Sequence, residues 1–224
     1  MPGRTTPLVN EQIYHVFNRG IDHRPTFIDK KEFQRALTVL SYYRFSTPPV
    51  KLSKFFLLSN ENRERILLDL NNENKKLVEI LCFCLMPNHF HLLLKQVGEN
   101  GISKYLSNIQ NSYTRYFNTK NERVGPLFLD QFKAVRIQTD EQLLHVSRYI
   151  HLNPVTSYVV KDFEKLQVYL WSSLKEYLDT SDFKFCSTEP ILAFFNKNSD
   201  YKKFLEDQIA YQRELHKIKH LILE

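Results

Sequence analysis

The sequence predicts an α+β protein, an antiparallel sheet with helices packed against it. Three observations lead there. Short apolar runs occur near residues 13–17, 77–85, 89–95 and 132–137, at lengths and alternations that suit strands. The stretches between and after them carry apolar residues at three- and four-residue spacing, which is the helical period. Two of the strand runs are separated only by a turn, so they form a hairpin.

The first strand is Ile13 to Phe17, where Ile13, His15 and Phe17 alternate with Tyr14 and Val16. It enters a polar turn, NRGIDHRP, punctuated by Gly20 and Pro25. A helix starts at Asp29, whose spacing to Glu32 resembles a capping box. Phe33, Ala36, Leu37 and Leu40 form its apolar face, and Pro48 and Pro49 close the unit. Residues from about 46 to 76 read as a helical insertion, two short pieces (KLSKFFLL, ENRERILLDL) leading into the polar NNENKK. Leu77 to Leu85 is a buried strand, MPNH a turn and His89 to Lys95 a second strand, a hairpin expected at the sheet's centre. The next helix, about Ile102 to Phe117, aligns Ile102, Tyr105, Leu106, Ile109, Tyr113 and Tyr116. After a basic loop comes the strand Phe132 to Ile137. A third helix follows, capped by Thr139 and Gln142 and expected to end at Asn153, because Pro154 disfavours helix at the residue before it. The order β-α-(insertion)-β-β-α-β-α describes a ferredoxin-like (RRM-like) sheet. Residues 1–160 read as one domain and 161–224 as a helical extension comprising WSSLKEYL, EPILAFF and a long charged helix from Ser199.

Composition narrows the setting. The 224 residues include 5 glycines, which makes Gly-rich linkers and phosphate-cradling Gly loops poor candidates. No apolar run approaches the length of a membrane span, and the N-terminal stretch lacks the apolar segment of a signal peptide. Three cysteines, Cys82, Cys84 and Cys186, form no disulfide framework, so the expected location is cytoplasmic. The net charge of +6, from 31 Lys+Arg against 25 Asp+Glu, suits a polyanionic partner, though many soluble proteins are as basic.

The sharpest chemical feature is His89-Phe90-His91. On a strand, residues i and i+2 share a face, so both imidazoles project together while Phe90 points the other way. Two such nitrogens suit a divalent metal with a third ligand from elsewhere in the fold. Two unliganded histidines beside a turn remain the plainer reading. Cys82 and Cys84, on one face of the preceding strand, leave a Cys2His2 zinc site open, although their pattern equally reads as core. The second feature is Tyr149-Ile-His-Leu-Asn153, whose end residues share a helical face. A phenol beside a metal that polarises a phosphodiester can attack phosphorus. Spacing alone does not choose Tyr149 over Tyr113 or Tyr116.

MPNHFHLLL resembles the His-hydrophobic-His motif of the HUH nucleases, and more narrowly that of the single-strand tyrosine transposases of insertion sequences and their REP-associated relatives. YHVFNRGIDHRPTF is similar to the family's first strand and turn, and NSYTRYFNTKNERVGPLFLDQFKAVRI to the segment between its second helix and fourth strand. RYIHLNPV is similar to the catalytic helix, and LWSSLKEYL to a downstream tryptophan-serine stretch. The resemblance covers most of residues 11–178. It implies that His89 and His91 ligate Mg²⁺ or Mn²⁺, that Tyr149 is the nucleophile, and that Asn153 is a third ligand or metal-facing group. The implied activity is cleavage and rejoining of single-stranded DNA through a 5′-phosphotyrosine, on hairpin or repeat DNA. Arg19, Arg115, Lys120, Arg123, Lys133, Arg136 and Arg148, interleaved with aromatics, are the candidate DNA contacts. A monomer or homodimer is implied, the extended tail favouring the monomer. A domesticated hairpin-binding module for DNA or RNA, without cleavage, is the alternative, and a metal phosphodiesterase using water is a third reading.

Overall fold

The computed structural model describes residues 7–73 and 75–213. Strand β1 (Ile13–Arg19) leads to helix α1 (Lys30–Tyr43), and the insertion follows as α2 (Leu52–Phe55) and α3 (Asn60–Glu73). Next come the hairpin strands β2 (Val78–Met86) and β3 (His89–Gln96), helix α4 (Gly101–Lys120), strand β4 (Lys133–Ile137) and helix α5 (Asp140–Thr156). The strands order as β2-β3-β1-β4, every neighbouring pair antiparallel. This is the α+β, ferredoxin-like arrangement that the element order predicts. No helix among the described residues is long and apolar enough to cross a membrane.

Two caps confirm their sequence signals and differ from them in one detail. Asp29 accepts from the backbone N–H of Glu32 at 2.9 Å, and the Glu32 carboxylate reaches back to Ile28 N at 2.6 Å. Thr139 accepts from Gln142 N at 3.3 Å, and Gln142 reaches back to Gln138 N at 2.8 Å. Each box therefore closes one residue before the cap, which satisfies the same kind of orphan donor. Glu32 is buried, and Lys120 from α4 compensates its charge at 2.8 Å while also meeting Asp29 at 2.6 Å.

The two faces of the sheet carry separate cores. On one, Tyr14, Val16, Phe90, Leu92 and Leu94 meet α1 and α4 through Ala36, Leu40, Tyr105, Leu106, Ile109 and Tyr113. On the other, Cys82, Cys84 and Leu93 meet Ile150, Leu152 and Val155 of α5. The chain after 160 completes this second core. It supplies the short helices α6 (Phe163–Gln167), α7 (Leu174–Tyr177), α8 (Glu189–Leu192) and α9 (Asn198–Glu206), with Leu166, Leu174, Tyr177, Tyr201 and Leu205 buried.

Three expectations require correction. The hairpin is not central: β2 is an edge strand, and its outer edge is covered by the chain near 172, with Leu85 N donating to Trp171 O at 2.8 Å and Ser173 N to Phe83 O at 3.0 Å. An edge strand closed in this way is as apolar as a central one, so its sequence reads alike. Helix α5 runs through Pro154 to Thr156. The proline sits in the last turn, where the lost backbone bond and the ring's clash with the carbonyl four residues back cost about 3 kcal/mol or more. Full burial of Leu152 and Val155 offsets it with roughly 3–6 kcal/mol. The long helix expected from Ser199 is interrupted: α9 ends at Glu206, helix resumes over 209–213, and residues 214–224 lie outside the described residues.

One buried polar network joins α5 to the extension. His151, wholly buried, lies 2.7 Å from Tyr201 Oη through Nδ1 and 2.8 Å from Ser173 Oγ through Nε2. Ser173 Oγ in turn donates to Phe83 O at 3.2 Å and accepts from Phe83 N at 2.9 Å. A neutral ring satisfies all of these: the Tyr201 hydroxyl donates to Nδ1, and Nε2–H donates to Ser173. Burial holds the His151 imidazole down at about 3, against an ordinary 6.5.

The unfolded chain therefore takes a proton at His151 well before the folded one does. The stability this residue contributes is complete above about pH 6.5 and is lost as the pH falls from there towards 3. Urea unfolding across that window should show a steeper loss for the wild type than for His151→Gln; equal slopes would contradict the neutral buried ring. A second test concerns Gly101 at the start of α4, where an added Cβ would lie 2.1 Å from the Leu77 carbonyl oxygen. Gly101→Ala should lower the unfolding free energy by about 1–3 kcal/mol in the same assay, and an unchanged midpoint would show that the backbone yields freely.

Candidate active site

The register of the sheet places the reactive side chains in rows. Across β2, β3, β1 and β4, one row is Cys84, His91, Phe17 and Lys133; the row on one side is Met86, His89 and Arg19, and on the other Cys82, Leu93, His15 and Val135. All point to the face on which α5 lies, since successive residues alternate and Phe90 is buried in the opposite core. Helix α5 packs on β2 and β3. The β1–β4 half of the face carries Val135, 56% exposed, and Lys133, also exposed.

His89 and His91 come together as the alternation predicts, with ring centroids 5.0 Å apart and planes nearly perpendicular. His91 is 6% exposed and His89 half-buried. Asn88 Oδ1 lies 2.6 Å from His89 Nδ1, which directs the other ring nitrogen away from the turn. Tyr149 reaches this pair from α5, its ring edge-on to His91 at 5.3 Å. Burial pushes the Tyr149 phenol up, and a hydrogen bond with the Asn153 side chain, one helical turn on, pulls it partly back. Asn153 is itself 2% exposed and accepts from Ser157 Oγ at 3.3 Å. In this arrangement its amide serves the phenol directly.

Among the described residues no three His, Cys, Asp or Glu side chains form a group that could hold one ion. The two imidazoles fit a divalent cation whose remaining ligands are oxygens, from an amide, a phosphodiester or water. The cysteines do not join them. Cys82 and Cys84 are fully buried in the second core, burial pushes both thiols up, and the Cys84 thiol lies 3.7 Å from Met86 Sδ. A thiol held neutral in this way is a small core residue and a poor zinc ligand. Tyr113 and Tyr116 are separated from the site by the sheet. Tyr113 is buried against α1, its hydroxyl donating to Thr26 O at 2.6 Å, and Tyr116 lies under the Arg35 guanidinium.

The candidate DNA contacts divide by position. Arg19 and Lys133 share the histidine face, Arg19 directly opposite His89. Arg136 is exposed on β4, its guanidinium donating to Gln12 Oε1 at 2.7 Å. Arg115 is exposed on α4, across the sheet, and Lys120 there is engaged with Asp29 and Glu32. Arg123 braces its own loop, donating to Asn118 Oδ1 at 2.8 Å and Pro126 O at 2.6 Å. Arg148 is 6% exposed, stacked 4.5 Å from the centre of the Phe204 ring. A guanidinium buried under α9 presents no surface to DNA, so Arg148 is here a packing residue.

The histidine that sequence reasoning passed over is His15. Its Nε2 lies 3.0 Å from His91 Nδ1, and its ring is also within reach of Phe17 and Tyr149, at 5.0 and 5.9 Å. The one available signal was its place in the alternation with Ile13 and Phe17. Which strand would lie beside β1 was not written there.

Residues 56–153 match the family model described as Transposase IS200 like, a segment that includes the hairpin, α4, β4 and α5 as far as Asn153. Among solved structures, that of a REP-associated tyrosine transposase bound to a REP hairpin aligns with a TM-score of 0.53 at 13% identity, over 84% of this chain and 98% of that one. At that identity the likeness is one of fold, and it agrees with the sheet described above. No curated protein matches the chain. The segment that carries both histidines and Tyr149 is thus similar to the IS200-like transposases, the resemblance that the sequence motifs carry.

Proposed function

We propose that this chain is a transposase-type nuclease that cleaves and rejoins single-stranded DNA through a 5′-phosphotyrosine on Tyr149. The observation that carries the proposal is the edge-on approach of the Tyr149 ring to His91, within one site built from two separate elements. His89 and His91 would hold a Mg²⁺ or Mn²⁺ ion, which when bound draws charge from the scissile phosphate. The Tyr149 oxygen attacks phosphorus and gives up its proton, the bond from phosphorus to the 3′-oxygen breaks, and the 3′-oxygen leaves as a hydroxyl. The 5′-phosphate stays on Tyr149. Attack by a 3′-hydroxyl on the phosphotyrosine then makes a new phosphodiester and returns the phenol. No nucleotide cofactor is required, because each step exchanges one phosphoester for another.

The environment of Tyr149 supports this role. Burial disfavours the phenolate, so the free chain keeps a neutral phenol, while the hydrogen bond with Asn153 favours the charge that develops during attack. Asn153 is in this reading a supporting group of the nucleophile, with the metal as its alternative partner. On the uncovered half of the sheet, Phe17 and Val135 offer apolar surface beside Arg19 and Lys133, a combination that suits stacked bases and their phosphates. The substrate class, hairpin or repeat DNA, follows the solved neighbour, which is bound to a REP hairpin. We read residues 1–160 as the catalytic domain and 161–224 as its extension.

Incubation with labelled single-stranded hairpin DNA and Mn²⁺, resolved on a denaturing gel, should give a covalent adduct that is lost in Tyr149→Phe and in His89→Ala. Cleavage that survives Tyr149→Phe would instead indicate attack by water, and binding without cleavage on hairpin and linear strands alike would indicate a non-catalytic module. Asn153→Ala should slow adduct formation by about 10- to 100-fold, the worth of one hydrogen bond to a charged group, with little change in DNA affinity measured by gel shift. An unchanged rate would remove Asn153 from the site.

A further inference from the structure

We infer that His15 is a positioning residue of this site, the acceptor that holds His91 in its metal-ligating tautomer. The inference rests on reading His89 and His91 as ligands. It starts from the 3.0 Å separation between His15 Nε2 and His91 Nδ1. The two rings lie nearly parallel, 27° apart, with centroids 5.1 Å from one another. His15 sits diagonally from His91 across the β1–β3 ladder, beside Leu93, a spacing that ring side chains on one face can span. Phe17 and the edge of Tyr149 flank the His15 ring.

A neutral imidazole has one N–H and one lone pair. With Nδ1 of His91 turned to His15, the nitrogen left for an ion is Nε2, and it has a lone pair only if the proton is on Nδ1. The bond must then run from His91 Nδ1–H to the lone pair of His15 Nε2, and His15 carries its own proton on Nδ1. The opposite polarity, His15 donating, would leave a proton on His91 Nε2 and no lone pair for an ion. Ligating histidines are commonly oriented by an acceptor of this kind, usually a carboxylate or a carbonyl. Here a second histidine on a rigid neighbouring strand fills that place. His15 is not a third ligand on this reading, since His15, His89 and His91 do not form a group that could hold one ion together.

The test is a Mn²⁺ titration of the full chain without DNA, following free Mn²⁺ by electron paramagnetic resonance. Removal of an orienting partner lowers metal affinity by about 10- to 100-fold, and His15→Ala should fall in that range. His15→Gln, whose Oε1 can accept near the position of Nε2, should recover most of the loss. Wild-type affinity in His15→Ala, or no recovery in His15→Gln, would overturn the inference. Nitrogen-15 spectra of the wild-type rings give a readout that needs no variant to fold: His91 should carry its proton on Nδ1, and a proton on Nε2 would overturn the assignment. If His89→Ala binds Mn²⁺ as tightly as the wild type, the ligand reading itself has failed, and the role of His15 with it.

Discussion

The site depends first on the register of β3 between β2 and β1. Because side chains alternate with a period of two, the choice that buries Phe90, Leu92 and Leu94 beneath α1 and α4 also turns His89 and His91 to the other face. A slip of one residue would place both imidazoles in an apolar core and turn three large hydrophobic groups out of it. At roughly 1.5–3 kcal/mol for each buried side chain, the apolar residues decide the register and the histidines follow. The same pairing sets His15 diagonal to His91 and Arg19 opposite His89. Local alternation thus becomes a chemical constellation through strand pairing alone.

The second face is only half covered, and this division separates support from access. Helix α5 and the extension bury the β2–β3 side, fixing Tyr149 over His91, while β1 and β4 keep Phe17, Lys133 and Val135 partly or fully exposed. The extension supports the covered side of the sheet. It closes the edge of β2, fills the second core and anchors α5 through His151, Ser173 and Tyr201.

What was legible in the sequence followed from local rules. The caps at Asp29 and Thr139, a turn within MPNH and the alternation of His89 and His91 each depend on neighbours a few positions away. What was not legible depends on distant packing. Arg148 reads as a surface cation until Phe204 covers it, and Lys120 as a free charge until it meets a buried Glu32. Pro154 reads as a helix stop until the burial of its neighbours outweighs the rule. His15 is one polar residue in a strand until β3 lies beside it.

The clamp on α5 has a consequence for the order in which the chain is made. His15, His89, His91, Tyr149 and Asn153 all precede residue 160, whereas Ser173 and Tyr201, which grip His151 two residues from both Tyr149 and Asn153, come later. A nascent chain therefore holds these five side chains before it holds the two partners of His151. Synthesis of the extension is the step at which α5 gains the contacts that hold it against the sheet beside His89 and His91.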